Sequence, residues 1–320
     1  MEIFKNRAYG FVVIKSINSN YNADFSGQPR TLPNGNVYAT DKALKYTVRH
    51  FIKNNHPDKK VFYYKRLNKK HNPISLNEAY IKMFGNFPTV KLKNKTVVDK
   101  NVVANNLLSC IDVRLFGATF AGETNVSIHG PVQINHGLNI WHENNIFSEQ
   151  ITSPFSNKSD DPEAEKGMTT IGRQSKLEEG HYIHHFSINP KNIEGIISNG
   201  ENGSRTLTQD DIKILREALC KGATYYDSAA KSGTENEILF YVELKKDSKL
   251  VLPNFTDIIK MSDSKENGKR YFNLILIKDE LSKYADDIEK CEIYYDSNVI
   301  EVINLPNNCK KYDLNNPDHS

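Results

Sequence analysis

The stretch YGFVVIKSI at positions 9–17 constrains the fold most, because apolar side chains occupy both of its alternating faces. A strand with one face in water would alternate apolar and polar residues, so this pattern predicts a central strand that is covered on both sides. Turn formers follow at 18–36, and Thr40 or Asp41 can cap a helix that runs to about Asn54.

Later segments predict an insertion and then the second half of a mixed sheet. Residues 55–108 are polar and rich in lysine, which indicates an inserted subdomain. Thr208 and Asp211 form a capping box for a helix at 209–220. Strands are predicted at 112–120, 126–135, 181–188, 237–245, 273–277 and 292–304. The order strand, helix, strand, strand, helix, strand, with insertions, is that of a ferredoxin-like α+β sheet.

The net charge of +3 conceals an uneven distribution. Residues 1–100 carry 19 Lys and Arg against 6 Asp and Glu, a net charge of +13, whereas the other 220 residues carry 23 against 33, a net charge of −10. A basic first third favours contact with a polyanion, although an excess of surface lysines would give the same numbers.

Composition also excludes several classes of protein. The four cysteines are scattered without a C-x-x-C pair, which argues against a disulfide framework and against a cysteine-based zinc site. Apolar runs such as Phe11–Ile14 are too short to cross a bilayer, and the N-terminus lacks the hydrophobic core of a signal peptide. We therefore expect a cytoplasmic protein without membrane contact.

The first helix carries the strongest candidate for a binding surface. At about 100° per residue, Lys42, Lys45, Arg49 and Lys53 fall within roughly 80° of one another, and Tyr46 lies on the same face. Such a cationic ladder with one aromatic side chain suits a phosphate backbone. The alternative is an ordinary solvated helix face.

The loop before this helix is rich in hydrogen-bond donors. Asn18, Asn20 and Arg30 belong to it, and loops of this kind can wrap phosphates or sugars. Asp24 is its only acidic residue, and it can serve either as a catalytic carboxylate or as a turn residue.

The histidines form no recognisable metal motif. Their spacing fits no compact zinc site, and WHENN lacks the second histidine of H-E-x-x-H. On the strand predicted at 181–188, His181 and His185 should share one face and His184 the other. We therefore expect neither a metal nor another cofactor, and the residues alone indicate a polyanion-binding surface without a catalytic constellation.

Five sequence blocks carry a family resemblance through their order. They are GQPRTLPNGNVYATDKALKYTVRHF (27–51), DVRLFGATFA (112–121), GPVQINHGLNI (130–140), TTIGRQSKLEEGHY (169–182) and LTQDDIKILREAL (207–219). The ordered set resembles the backbone subunit of the type I CRISPR interference complex (Cascade), a member of the RAMP superfamily, and most of all its subtype I-B version.

The resemblance implies a hand-shaped protein that binds CRISPR guide RNA. The palm would be a modified RNA-recognition-motif (ferredoxin-like) sheet made of 1–54, 109–139 and 181–320. A helical finger insertion would span 55–108 and a β-hairpin thumb 140–180. Copies would stack along the guide, together with other Cascade subunits, and display its bases for pairing with target DNA, so that base pairing provides the specificity.

The resemblance also implies guide contacts at particular positions. They are Arg30, Lys42, Lys45, Arg49, Gln133, Arg173 and Lys176, with Met168 as a wedge beside a displaced base. Asn18, Asn20 and Tyr46 complete the predicted RNA-binding set. The chain departs from the family pattern at NSNYNAD, where Asn-Pro-Asn-Gly-Asp is frequent, and at Tyr46, where a second basic residue is usual.

The octapeptide RAYGFVVI at 7–14 nearly matches the one with which RNA-recognition-motif domains stack bases. That octapeptide belongs to the third strand of its sheet, whereas here it opens the chain. We therefore expect its apolar side chains in the core and the RNA over the adjacent loop and helix.

Two alternatives remain open on the sequence. The backbone subunit of type III complexes cleaves target RNA with an aspartate in the loop after the first strand, which is where Asp24 lies. The chain could instead be a stand-alone RNA-binding or guide-processing protein that does not polymerise.

Overall fold

The computed structural model describes residues 2–92, 95–156, 168–198, 206–262 and 267–317. Its helices are α1 (Asp41–Asn55), α2 (Leu76–Phe84), α3 (Lys100–Leu108), α4 (Ile111–Phe116), α5 (Lys191–Ser198), α6 (Gln209–Tyr225) and α7 (Ile275–Ser282). Its strands are β1 (Ala8–Ser19), β2 (Tyr38–Ala39), β3 (Thr89–Leu92), β4 (Lys95–Val98), β5 (Gly117–Ala121), β6 (Asn125–His129), β7 (Val132–Ile134), β8 (Gly137–Asn139), β9 (Ile146–Ser156), β10 (Met168–Ile188), β11 (Thr234–Leu244), β12 (Lys260–Met261), β13 (Arg270–Asn273), β14 (Ile288–Tyr295), β15 (Ile300–Ile303) and β16 (Lys310–Tyr312).

The main sheet is built around β1. It runs in the order β16-β14-β11-β1-β10-β8-β2, while β7 and β9 pair with other parts of β10. β1 is antiparallel to β10, with Ala8 opposite Ile188 and Ser19 opposite Leu177, and antiparallel to β11 on its other edge. Both edges of β1 are thus paired, and its predicted central position is confirmed.

Side chains of β1 enter two separate cores. Val12 and Ile14 pack into the core that contains the buried residues of α1 and α6. Tyr9, Phe11 and Val13 pack into a second core on the other face of the sheet. Removing apolar side chains of this size from water contributes about 1.5–3 kcal/mol each. The expectation that RAYGFVVI is core is confirmed, since Tyr9 is only 3% exposed and Phe11 is fully buried.

Both predicted helices on the first core form as expected. Thr40 caps α1 by accepting a hydrogen bond from the backbone N–H of Ala43, and Thr208 with Asp211 forms the capping box of α6. Among the residues of α6 that are buried are Ile212, Leu215 and Leu219. α1 and α6 pack against each other.

Two predicted strands are wrong in part because each contains a short helix. The strand expected at 112–120 is the helix α4 followed by β5, and Gly117 ends the helix with a φ of +78° that favours glycine. The strand expected at 273–277 gives way to α7, whose first N–H, that of Ile275, donates to Asn273 Oδ1 at 3.0 Å. In both places a side-chain or backbone cap that lies outside the apolar pattern decides the conformation.

The remaining strand predictions differ mainly in their bounds. The segment 126–135 is split into β6 and β7, and 292–304 into β14 and β15. The segment 181–188 is the end of the much longer β10, whose first part pairs with β9 to form an antiparallel hairpin. The tract at 157–167 lies outside the described residues.

The segment 55–108 contains a hairpin, β3–β4, in addition to the helices α2 and α3. The two helices have nine residues each and the two strands four residues each. No helix in the described ranges is long and apolar enough to span a bilayer.

A fully buried carboxylate, Asp112, joins this segment to α1 and α4. Its Oδ1 accepts a hydrogen bond from the N–H of Phe62 at 2.8 Å, and its Oδ2 accepts one from the N–H of Tyr63 at 3.0 Å. Arg49 of α1 donates to Oδ2 through Nε at 3.1 Å. The carboxylate thus neutralises a cation and satisfies two backbone donors that would otherwise be buried without partners.

We predict that Asp112→Ala lowers the free energy of unfolding by about 3–5 kcal/mol, because it leaves the Arg49 guanidinium and two backbone N–H groups unpaired. Urea denaturation measures the change. The matched control is Asp58→Ala, since Asp58 pairs with Lys59 and its side chain is 68% exposed. A loss below about 1 kcal/mol is expected there, and an equal loss in both variants would contradict the assignment.

Two histidines of β10 are buried in different cores. His184 contacts Tyr21 on the α1 side of the sheet, whereas His185 contacts Phe255 on the other side. His181 lies against Phe272 on the same side as His185, so the predicted division of the three histidines between the two faces is confirmed. Burial lowers the pKa of His184 and of His185 to about 4.

The neutral form of His184 is held by its hydrogen bonds. Its Nδ1 lies 3.0 Å from the carbonyl oxygen of Asn135 and must donate to it, so Nε2 accepts from the Tyr21 hydroxyl at 3.3 Å. A protonated ring would carry a second N–H at Nε2, which would need an acceptor and would place a positive charge in a buried site.

We predict that the protein loses stability as the pH falls from about 6.5 toward 4. The unfolded chain protonates both histidines near pH 6.5 whereas the folded chain resists protonation, so each histidine costs up to about 2–3 kcal/mol across that window. Denaturation curves across this range measure the slope, which His184→Gln should reduce. His129→Gln, at an exposed histidine, should leave it unchanged. A slope that His184→Gln does not alter would count against this assignment.

Candidate nucleic-acid interface

The loop that follows β1, residues 20–40, is held by its own asparagines. Asn20 is 3% exposed, and its Nδ2 donates to the carbonyl oxygens of Gly27 and Ser175 at 3.1 and 3.0 Å. The Oδ1 of Asn22 accepts from the backbone N–H and the hydroxyl of Thr40 at 2.9 and 3.0 Å. These bonds fix both ends of the loop, so the buried Asn20 shapes the loop from inside.

Asp24 organises a turn within this loop. Its Oδ1 accepts hydrogen bonds from the N–H and the hydroxyl of Ser26, both at 2.8 Å, and from the N–H of Gln28 at 3.0 Å. The hydrogen bond from the Ser26 hydroxyl is the main cause that lowers the pKa of the Asp24 carboxyl. This geometry is typical of an aspartate-capped turn.

The prediction that the cationic side chains of α1 form an exposed ladder is wrong for the two middle ones, Lys45 and Arg49. Lys45 Nζ lies 3.1 Å from Asp41 Oδ2, and Arg49 Nε lies 3.1 Å from Asp112 Oδ2. The two basic side chains are 13% and 14% exposed. Their face of the helix packs against α4, and the Arg49 guanidinium lies 5.1 Å from the centre of the Phe116 ring. Both charges are therefore neutralised within the protein.

The ends of the ladder do face solvent. The side chain of Lys42 is 83% exposed beside Asp41, and Lys53 is also exposed. Tyr46 is partly buried in an aromatic cluster. The centre of its ring lies 5.7 Å from that of Tyr64, on which it stacks, and 5.2 Å from that of Tyr226. The predicted RNA contacts of the helix thus separate into exposed and internally paired positions.

The base of the β9–β10 hairpin lies beside the 20–40 loop. Ser148 and Ser175 are 2.8 Å apart across the two strands, and Gln28 of the loop reaches Ser148 at 3.5 Å. On the same part of β10, Arg173 is exposed and Lys176 pairs with Glu149 at 3.3 Å. The structure therefore brings Arg173 and Lys176 to the loop that was predicted to hold RNA.

Of the other predicted positions, Gln133 lies apart from this region, whereas Arg30 belongs to the 20–40 loop and Asn18 lies just before it. Gln133 of β7 is exposed and pairs with Ser187 near the far end of β10, about 14 residues or roughly 45 Å along the strand from Arg173. Asn18 is exposed at the end of β1, and Arg30 donates to the carbonyl of Ala23 at 3.1 Å. Met168 begins β10, and its side chain lies outside the described residues.

Sequence reasoning missed one cation beside the loop. Lys231 precedes β11 and donates from Nζ to the carbonyl oxygens of Tyr21 and Asn20. No sequence pattern singled it out, because its neighbours in space come from a segment about 210 positions away. In the described part of the chain, no cluster of three His, Cys, Asp or Glu side chains could hold a metal ion.

Comparison with known proteins identifies the family. The sequence model of the family described as CRISPR-associated protein Cas7 matches residues 6–279. A search of curated proteins gives no match. Among solved structures, a chain of a "CRISPR RNA-guided surveillance complex, pre-nicking" is similar with a TM-score of 0.53 and 15% identity over 96% of both chains. A chain of a "CRISPR RNA-guided surveillance complex" gives a TM-score of 0.47 and 15% identity over 94% of both chains. Because the family model spans most of the sequence, this chain belongs to the Cas7 family of CRISPR-associated proteins.

Proposed function

We propose that this chain is the guide-RNA-binding backbone subunit of a type I CRISPR complex. Several copies assemble along the guide with the other subunits and present it for pairing with target DNA. The family match across residues 6–279 is the observation that carries this proposal. The ordered sequence blocks favour the I-B version of the complex.

Different parts of the fold are suited to different parts of this function. We interpret the antiparallel strands β11-β1-β10-β7, with α1 and α6 on one face, as the RNA-recognition-motif-like palm. The segment 55–108 then corresponds to the fingers, and the β9–β10 hairpin to the thumb. In this interpretation a rigid palm carries loops and a hairpin that hold RNA at its edge.

The RNA surface that we propose uses exposed cations rather than the whole α1 ladder. Exposed Lys42 lies at the start of α1 and exposed Arg173 at the base of the hairpin, where the neighbouring Lys176 is 21% exposed and paired with Glu149. Such side chains neutralise phosphates and leave base edges free, which suits a protein whose specificity comes from base pairing. Lys45 and Arg49 support the helix from within and would contact RNA only if their ion pairs opened.

The proposed function involves no chemical step by this chain. Asp24 is occupied by three hydrogen bonds within its turn, and the histidines of β10 are buried. A general base must reach its substrate directly or through one water. Cleavage of guide-complementary RNA that Asp24→Asn abolishes would support the catalytic alternative instead.

We predict that Lys42→Ala combined with Arg173→Ala weakens binding of single-stranded RNA and flattens its salt dependence. Each lost phosphate contact should reduce the slope of log K against log salt by about 0.7. Fluorescence anisotropy at several salt concentrations measures both effects.

The matched control is Lys246→Ala combined with Lys249→Ala. These exposed lysines follow β11 at the opposite end of β1 from the 20–40 loop, and the variant removes the same two charges. An equal loss of slope in both variants would show that general charge, and not this surface, binds the RNA.

We also predict that the chain assembles along RNA. Sedimentation velocity with a guide-length RNA should give particles that contain several copies, whereas a short oligonucleotide should bind a single copy. One copy per RNA at every length would favour the stand-alone alternative.

A further inference from the structure

Lys231 places a cation against the backbone of the 20–40 loop. Its Nζ donates to the carbonyl oxygen of Tyr21 and lies 3.4 Å from that of Asn20. The Asn20 N–H donates in turn to the carbonyl oxygen of Ala230 at 2.7 Å. The loop before β11 and the loop after β1 are therefore joined by hydrogen bonds in both directions.

The ammonium of Lys231 is partly buried without a carboxylate. The groups that face it are two backbone carbonyls and the rings of Tyr21 and Tyr226, whose centres lie 5.9 and 6.0 Å from Nζ. Within the described ranges no acidic side chain forms an ion pair with it, and burial lowers its pKa to about 8. Carbonyl dipoles and ring faces attract a cation but carry no net negative charge.

Asn20 supplies a second, independent sign of an incomplete site. Its Oδ1 is buried and has no hydrogen-bond partner among the described residues, although its Nδ2 makes two hydrogen bonds. A buried acceptor without a partner is costly, and ligand hydroxyl groups satisfy such acceptors. The residue that holds the loop thus has one unfilled hydrogen-bond position, and its backbone carbonyl oxygen lies 3.4 Å from the Lys231 Nζ.

We propose that Lys231 is a positioning residue of the RNA site. It holds the 20–40 loop in place, and a phosphate of the bound single-stranded RNA neutralises its positive charge. A donor to Asn20 Oδ1 has to enter the interior of the loop, because this oxygen is buried. This inference rests on the proposed function, and it adds the loop before β11 to the RNA-binding surface.

The proposal requires that RNA binding and protonation of Lys231 are linked. About half of the Lys231 side chains are neutral near pH 8, and an adjacent phosphate raises the pKa of the ammonium. Binding near pH 8 should therefore take up about half a proton per copy, and affinity should fall about tenfold between pH 7 and 9.

Calorimetry of the full chain with oligo-uridylate in two buffers of different ionisation enthalpy tests this linkage. The wild type should take up protons near pH 8, whereas Lys231→Met should bind more weakly at pH 7 and show no uptake. Lys231→Arg keeps its charge at every pH, so it should restore affinity without proton uptake. Thermal melting of each variant shows whether the fold is retained.

The outcomes separate the two proposals. If oligo-uridylate binds but the wild type and Lys231→Met take up equal numbers of protons, Lys231 only supports the fold and the inference is overturned. If Lys231→Met unfolds, Lys231→Arg alone tests the inference. Proton uptake that persists in Lys231→Arg would also overturn the inference. If the wild type binds no RNA, the proposed function itself fails.

Discussion

Pairing of β1 with β10 on one edge and β11 on the other is the constraint on which the rest of the structure depends. Because residues 8–14 of β1 are also buried on both faces, this part of the strand has no free edge and no free face for a ligand. Polar chemistry is confined to the segments that leave the sheet. The 20–40 loop, the extension of β10 and the loop before β11 all leave it near the same end of β1.

β10 connects this core to the hairpin without a break. Its last part lies between β1 and the short strands of the main sheet, and its first part pairs with β9. Buried charges reinforce the transition, since His181 bonds Glu237 at 2.6 Å and Glu179 accepts from Arg270. The hairpin is therefore continuous with a strand of the core.

Part of the positive charge of α1 is paired within the fold, which the net charge does not reveal. The first 100 residues carry a large excess of positive charge. Two of these charges, on Lys45 and Arg49, form ion pairs with Asp41 and Asp112. The helical wheel placed these cations correctly on one face of α1. It could not show that α4 covers this face, because Asp112 comes from a segment whose apolar alternation is typical of a strand.

The sequence by itself determined the buried central strand, the capped helices α1 and α6, the division of the histidines of β10 between two faces, and the family through its ordered blocks. These features depend on local periodicity, on caps within three residues and on motif order, all of which can be read along one chain. Only the tertiary structure decided that Arg49 is an internal ion pair, that α4 replaces a strand, and that Lys231 lies beside Asn20. Each of these features depends on which groups that are distant in sequence become neighbours in the interior of the protein. An ion pair or a hydrogen bond forms between neighbours in space whatever their separation in sequence.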